Sequence, residues 1–103
     1  MLDNAITEEK INRAKEVSRY FYESNIWKKY QESKEPVNLA GYINVIAKRI
    51  NRSKGQLYDD FKVAHVLRYI TIFSDKENQR LYLREGANKK EIYVNRPDSG
   101  GIQ

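Results

Sequence analysis

Side chains that attack bonds, shuttle protons or hold metals are scarce in these 103 residues. There is no cysteine, which excludes disulfides, thiolate zinc sites and a cysteine nucleophile. His65 is the only histidine, and a lone histidine without cysteines or spaced carboxylates is expected to be structural. Asp59 and Asp60 are adjacent, so on a helix their carboxylates diverge by about 100° and form no catalytic dyad. Neither a glycine-rich phosphate loop nor a nucleophile elbow occurs. The sequence therefore predicts no enzyme activity, no metal and no cofactor.

The abundant functional groups are cationic, and they are unevenly placed. Residues 1–35 hold seven Lys/Arg and seven Asp/Glu, whereas residues 36–103 hold twelve against seven, so the net charge of +5 lies wholly in the second part. Lys48, Arg49, Arg52 and Lys54 occupy residues 36–58 without a single acid among them. A basic excess confined to one part of a chain is what a polyanion-binding face requires, although a generally basic surface gives the same balance. Arg80, Arg84, Lys89 and Lys90 cluster later with Asn78, Gln79, Asn88 and Tyr82. These are the residue types used on phosphates and groove edges. Lys and Arg on exposed strands also discourage edge pairing.

Periodicity suggests the elements that must carry these groups. Thr7 caps a first helix to about Tyr22, with Ile11, Ala14, Val17 and Phe21 on one face. Gln31 to Pro36 reads as a loop. Asn38 caps a second helix with Leu39, Tyr42, Ile43, Ile46, Ala47 and Ile50 on one stripe. Asn51 suits a left-handed turn, and Ser53-Lys54-Gly55-Gln56 fits a capping box opening a third helix with Leu57, Phe61, Ala64 and Leu67 inward. From about Tyr69 the period becomes two: Ile70 and Ile72, Leu81 and Leu83, then Ile92 and Val94 define a three-strand meander. One domain is expected over 1–95, with a loose tail at 96–103.

Two helices joined by so short a turn form a helix-turn-helix. Around Ala47-Lys48-Arg49-Ile50-Asn51-Arg52-Ser53-Lys54-Gly55-Gln56-Leu57 the chain resembles the winged helix-turn-helix family. Ala47, Asn51 and Leu57 match the small residue, the turn residue and the apolar residue that set the helix crossing. The pattern covers about residues 38–95 and departs from the family at Arg52 and Asp60, where apolar residues are usual. It also lacks the usual glycine before the wing. The resemblance implies an α+β fold of three helices followed by a two- or three-stranded antiparallel sheet. In size and architecture the chain is similar to small plasmid-encoded site binders that act in conjugation or centromere partition.

Double-stranded DNA is the partner this resemblance implies. The expected contacts are Lys48, Arg49, Arg52, Ser53, Lys54, Gln56, Tyr58 and Lys62 around the turn and third helix, and Lys76, Asn78, Arg80, Arg84, Lys89 and Lys90 on the hairpins. Asp59 and Asp60 are repelled by phosphates. The third helix is therefore expected to approach DNA by its first turn, where Ser53 and nearby N–H groups could hold a phosphate and Gly55 permits close approach. The wing then supplies at least as much contact.

Tyr20, Phe21 and Tyr22 are consecutive, with Trp27 and Tyr30 just beyond. One small core is not expected to receive them all, and a homodimer interface of Tyr20, Tyr22, Trp27 and Tyr30 is the natural sink. A further protein at the DNA site is compatible with this. No stretch approaches the roughly 18 apolar residues of a membrane span, and Met1-Leu2-Asp3-Asn4 carries no basic-then-apolar pattern, so a cytoplasmic protein is expected. Three alternatives share the composition: a transcriptional repressor of the same fold, a protein-interaction adaptor using the aromatic first helix, and a single-stranded nucleic acid binder. The last would use Tyr69, Phe73, Tyr82 and Tyr93 beside Arg80 and Arg84.

Overall fold

Thr7 starts the first helix as its chemistry requires, its hydroxyl accepting the Lys10 N–H at 3.2 Å. The computed structural model describes residues 6–93. In order these form α1 (Glu8–Tyr22), α2 (Asn25–Ser33), β1 (Val37–Asn38), α3 (Leu39–Arg49), α4 (Lys54–Val66), β2 (Ile70–Asp75), β3 (Arg80–Glu85) and a 3-10 turn (Lys89–Ile92). The fold is α+β, with four helices and a three-stranded antiparallel sheet in the order β1-β3-β2.

Helix α2 is an element the sequence reading missed. Ser24 ends α1 by donating to the Phe21 carbonyl at 2.7 Å, and it caps α2 by accepting the Trp27 N–H. The helix then runs through Gln31–Ser33, expected as loop, and stops at Lys34 in the left-handed conformation (φ 64°). Polar residues at 31–33 hid this last turn, because it is exposed and no apolar period marks it.

The sharp corner between α1 and α2 also disposes of the aromatic cluster. Trp27 folds back on α1, its ring 5.4 Å from Phe21 and 5.0 Å from Tyr22. Phe21 is fully buried against Tyr42, and Tyr22 is buried beneath the hairpin. Its hydroxyl donates to the Tyr69 carbonyl at 2.6 Å and accepts the Gly86 N–H at 3.0 Å. Tyr22 and Trp27 thus belong to the core, not to an exposed dimer face; only Tyr20 and Tyr30 stay half-buried. Two helices and a hairpin converge on the end of α1, so neighbouring aromatic residues find separate apolar sites.

Helices α3 and α4 cover the inner face of the sheet. Their buried side chains Leu39, Tyr42, Ile43, Ile46, Leu57, Phe61 and Ala64 form one core with Ile70, Leu83 and Ile92. Each large apolar side chain so buried contributes about 1.5–3 kcal/mol. In the β2–β3 ladder Ile72 faces Leu83 and Phe73 faces Tyr82. β1 pairs with β3 on its other side, Val37 opposite Leu83.

The expected third strand at Ile92–Val94 does not form as such. Ile92 ends the 3-10 turn and is fully buried, while Val94 lies outside the described residues. Two bonds bend the chain away from the ladder after β3: the Asn88 N–H donates to the Arg68 carbonyl, and the Asn88 amide to that of Leu67. The third strand is instead β1, only two residues long and too short for any alternation to betray it. The expected tail at 96–103 lies outside the described residues, as does the start of the expected domain. Among the described residues, no helix is long and apolar enough to cross a membrane.

Candidate nucleic-acid interface

The geometry of α3, the turn after it and α4 follows from three small devices. Asn38 caps α3 by accepting the Gly41 N–H at 2.8 Å. After α3, Asn51 takes the left-handed conformation (φ 54°), and the Arg52 N–H closes on the Ala47 carbonyl at 3.1 Å. Ser53 then caps α4 by accepting the Gln56 N–H at 3.1 Å. The other half of the expected capping box is absent, because the Gln56 amide is used elsewhere.

Its partner is Asp60, which is buried although the family pattern has an apolar residue there. The Asp60 carboxylate accepts from Arg13 Nε of α1, Arg52 Nη1 of the turn and Gln56 Nε2 of its own helix, at 3.1, 3.1 and 3.0 Å. Arg52 also donates to Glu16 at 2.9 Å, and Arg13 pairs with Glu9. The Glu16 hydrogen bond is the largest influence raising the pKa of Arg52, with Asp60 adding to it against partial burial. Of the residues expected on DNA, Arg52 is therefore committed to holding α4 against α1, and Gln56 to Asp60 within α4. A buried carboxylate needs such partners, and removing water from it without them is costly.

The remaining expected contacts fall into separate groups. Lys54 and Lys62 on α4, Lys76 and Arg80 on the hairpin are exposed and, among the described residues, have no carboxylate within ion-pair distance. Tyr58 is half-buried. A groove of about 370 Å³ joins these elements, lined by Asn38, Leu39 and Ala40 at the start of α3, Tyr58 of α4, and Gln79, Arg80 and Leu81. Leu81, expected in the core, is 44 % exposed and lines this groove instead. Gly55 has open space where a Cβ would stand.

The hairpin loop is organised by Asp75. Its carboxylate accepts the Glu77 N–H at 3.0 Å and the Asn78 amide at 2.8 Å, and the Gln79 N–H closes on its carbonyl. The Asn78 side chain is therefore part of the turn, leaving Lys76 to project from it. Arg84 lies over the Phe73 ring at 4.6 Å. Lys89 was expected on DNA but is half-buried, stacked over Tyr22 and Trp27 at 4.8 and 5.3 Å, and 3.8 Å from Glu85. Lys90 beside it is exposed.

Two cations are carried by a different surface. Lys48 and Arg49 are exposed near the end of α3, and Arg49 lines a second groove, of about 480 Å³, with Tyr20, Glu23 and Ile26 of the α1–α2 corner. That groove shares no residue with the one between α4 and the hairpin. His65, at the end of α4, has a structural bond: its Nδ1 accepts the Ile72 N–H of β2 at 3.0 Å.

Sequence reasoning missed Arg13, Glu16 and the first residues of α3 as parts of this region. Periodicity places Arg13 and Glu16 on α1, but nothing in it shows which side of α1 meets α4. No protein family, curated protein or solved structure matches this chain.

Proposed function

We propose that this chain binds double-stranded DNA as a winged helix-turn-helix protein, without catalysis, through one face built from α4, the start of α3 and the β2–β3 hairpin. The observation that carries the proposal is the groove in which Tyr58 of α4 meets Gln79 and Arg80 of the hairpin across the first residues of α3. It makes the two elements that would enter the DNA grooves parts of one surface. The element order, with β1 between α2 and α3 and a hairpin after α4, is compatible with the winged-helix layout.

Charge supports the same face. Lys54, Lys62, Lys76 and Arg80, unpaired among the described residues, can neutralise phosphates, and each such contact releases counterions. The first N–H groups of α4, beside the open Gly55, favour an anion. With Arg52 and Gln56 turned inward and Asp59 exposed, α4 retains few groups for reading bases. The hairpin therefore supplies the larger share of the contacts. A homodimer remains part of the proposal through Tyr20 and Tyr30 alone.

Anisotropy of labelled blunt duplexes across a salt series tests this. Expected is binding that weakens with a log–log slope of about −0.9 per phosphate neutralised. Arg80→Ala and Lys76→Ala should each reduce that slope by about 1 on any sequence. A Lys54, Lys62, Lys76, Arg80 quadruple alanine variant that keeps full affinity would overturn the proposal, as would no duplex binding at low salt.

A further inference from the structure

The outer face of the sheet carries an aromatic and basic surface that, apart from Lys76, the duplex-binding face leaves unused. Ile70 and Leu83 point toward the helices and are fully buried. By alternation Phe73, Tyr82 and Arg84 emerge on the opposite side. The Phe73 and Tyr82 rings are stacked, with centroids 5.8 Å apart and planes 27° from parallel. The Arg84 guanidinium covers Phe73 at 4.6 Å. Tyr82 also borders a shallow hollow of about 670 Å³ with Pro36, Glu35 and Lys76.

Two cations at this face can contact phosphates. The Asp75 carboxylate in the hollow is already bound by the Glu77 N–H and the Asn78 amide. Lys76 and Arg84 are exposed and, among the described residues, unpaired, and they stand near the carboxylates of Glu35 and Asp75. A guanidinium stacked on a ring keeps its N–H edge directed outward, where it can hold a phosphate. A ring beside a basic groove is the arrangement that takes a nucleobase on its π-face and the adjoining phosphates on cations.

We propose that this face binds single-stranded DNA, a base stacking on Tyr82 in the hollow and the backbone lying along Arg84 and Lys76. It is a second site on the far side of the sheet from the groove between α4 and the hairpin, meeting the duplex face at Lys76 of the hairpin loop, and it suits a duplex that ends in an unpaired strand.

The test compares a labelled oligothymidylate of about 12 nucleotides, within the usual footprint of single-strand sites, with an abasic strand of equal length and charge. The full chain should bind the thymidylate at least ~10-fold tighter at one salt concentration, the size of effect expected for a stacked base. Tyr82→Leu should abolish that preference while leaving circular dichroism and blunt-duplex affinity unchanged. Arg84→Gln should weaken both strands. Equal affinity of the unmodified chain for the two strands would overturn the proposal. So would a preference that survives Tyr82→Leu, or a loss of duplex affinity in that variant as large as the loss for single strands.

Discussion

The Asp60 carboxylate, 1 % exposed, stands 3.1 Å from both Arg13 Nε and Arg52 Nη1 and so ties α1 to the turn before α4. The pairing decides which arginine is structural. Asp60→Ala leaves two partly buried guanidinium groups facing each other without their shared anion. It should cost about 3 kcal/mol in urea unfolding, the lower end for breaking a buried pair because both arginines reach water. Arg52→Met, which leaves Asp60 with Arg13 and Gln56, should cost about 1 kcal/mol. Its salt dependence of duplex binding should not change, in contrast to Arg80→Ala.

Gly55 separates stability from contact. Alanine there fills open space on the first turn of α4 and should stabilise the fold by about 0.5 kcal/mol, as glycine is the poorer helix former. If DNA approaches this turn closely, the added methyl group lowers duplex affinity in the same variant. A gain in both thermal midpoint and affinity would remove the first turn of α4 from the interface.

Gly86 and Arg68 are complementary tests of the hairpin base. A Cβ at Gly86 would stand 2.6 Å from the Ile70 nitrogen and closer still to the Arg68 carbonyl oxygen, in backbone that has no room to move. Gly86→Ala should therefore lower stability by more than about 2 kcal/mol, in the range of severe steric substitutions. Arg68 holds the left-handed conformation (φ 66°), which a glycine adopts without steric cost. Arg68→Gly should relieve about 0.5 kcal/mol, seen as a rise of a few degrees in the melting midpoint.

Alkaline pH should destabilise the fold through its buried tyrosines. Burial is the main cause that raises Tyr22 to about 12, the Gly86 N–H opposing it, and burial also drives Tyr42 far upward. In the unfolded chain both ionise near 10, so their contribution is fully present below pH 10 and is lost as pH rises from there through 12. For Tyr22 this amounts to about 3 kcal/mol. Unfolding in urea at pH 9 and pH 11 should show the loss, and Tyr22→Phe should reduce it while costing about 1–3 kcal/mol at neutral pH.

His65 accepts the Ile72 N–H on β2, the edge strand of the sheet. His65→Ala should cost about 1 kcal/mol and speed amide exchange at Ile72, with little effect elsewhere. Unchanged exchange at Ile72 would show that water replaces the imidazole without loss.

The sequence by itself determined the elements whose pattern is local. The cap and apolar period of α1 are written in consecutive residues, as are the stripe of α3, the Asn51 turn, the Ser53 cap and the alternation of Ile70 with Ile72. The surplus of cations after residue 36 was equally plain. Only the tertiary structure decided where neighbouring groups of one type diverge. Tyr22 and Trp27 went to the core because the α1–α2 corner and the hairpin meet there, and Tyr20 did not. Arg52 and Gln56 were claimed by Asp60, while Lys54 and Lys62 on the same segment stayed exposed. The third strand came from two residues before α3, and not from Ile92, because its partner is set by sheet order and no run of residues encodes that. Composition supplies the charges of a surface, but burial and pairing across distant segments choose which of them face solvent.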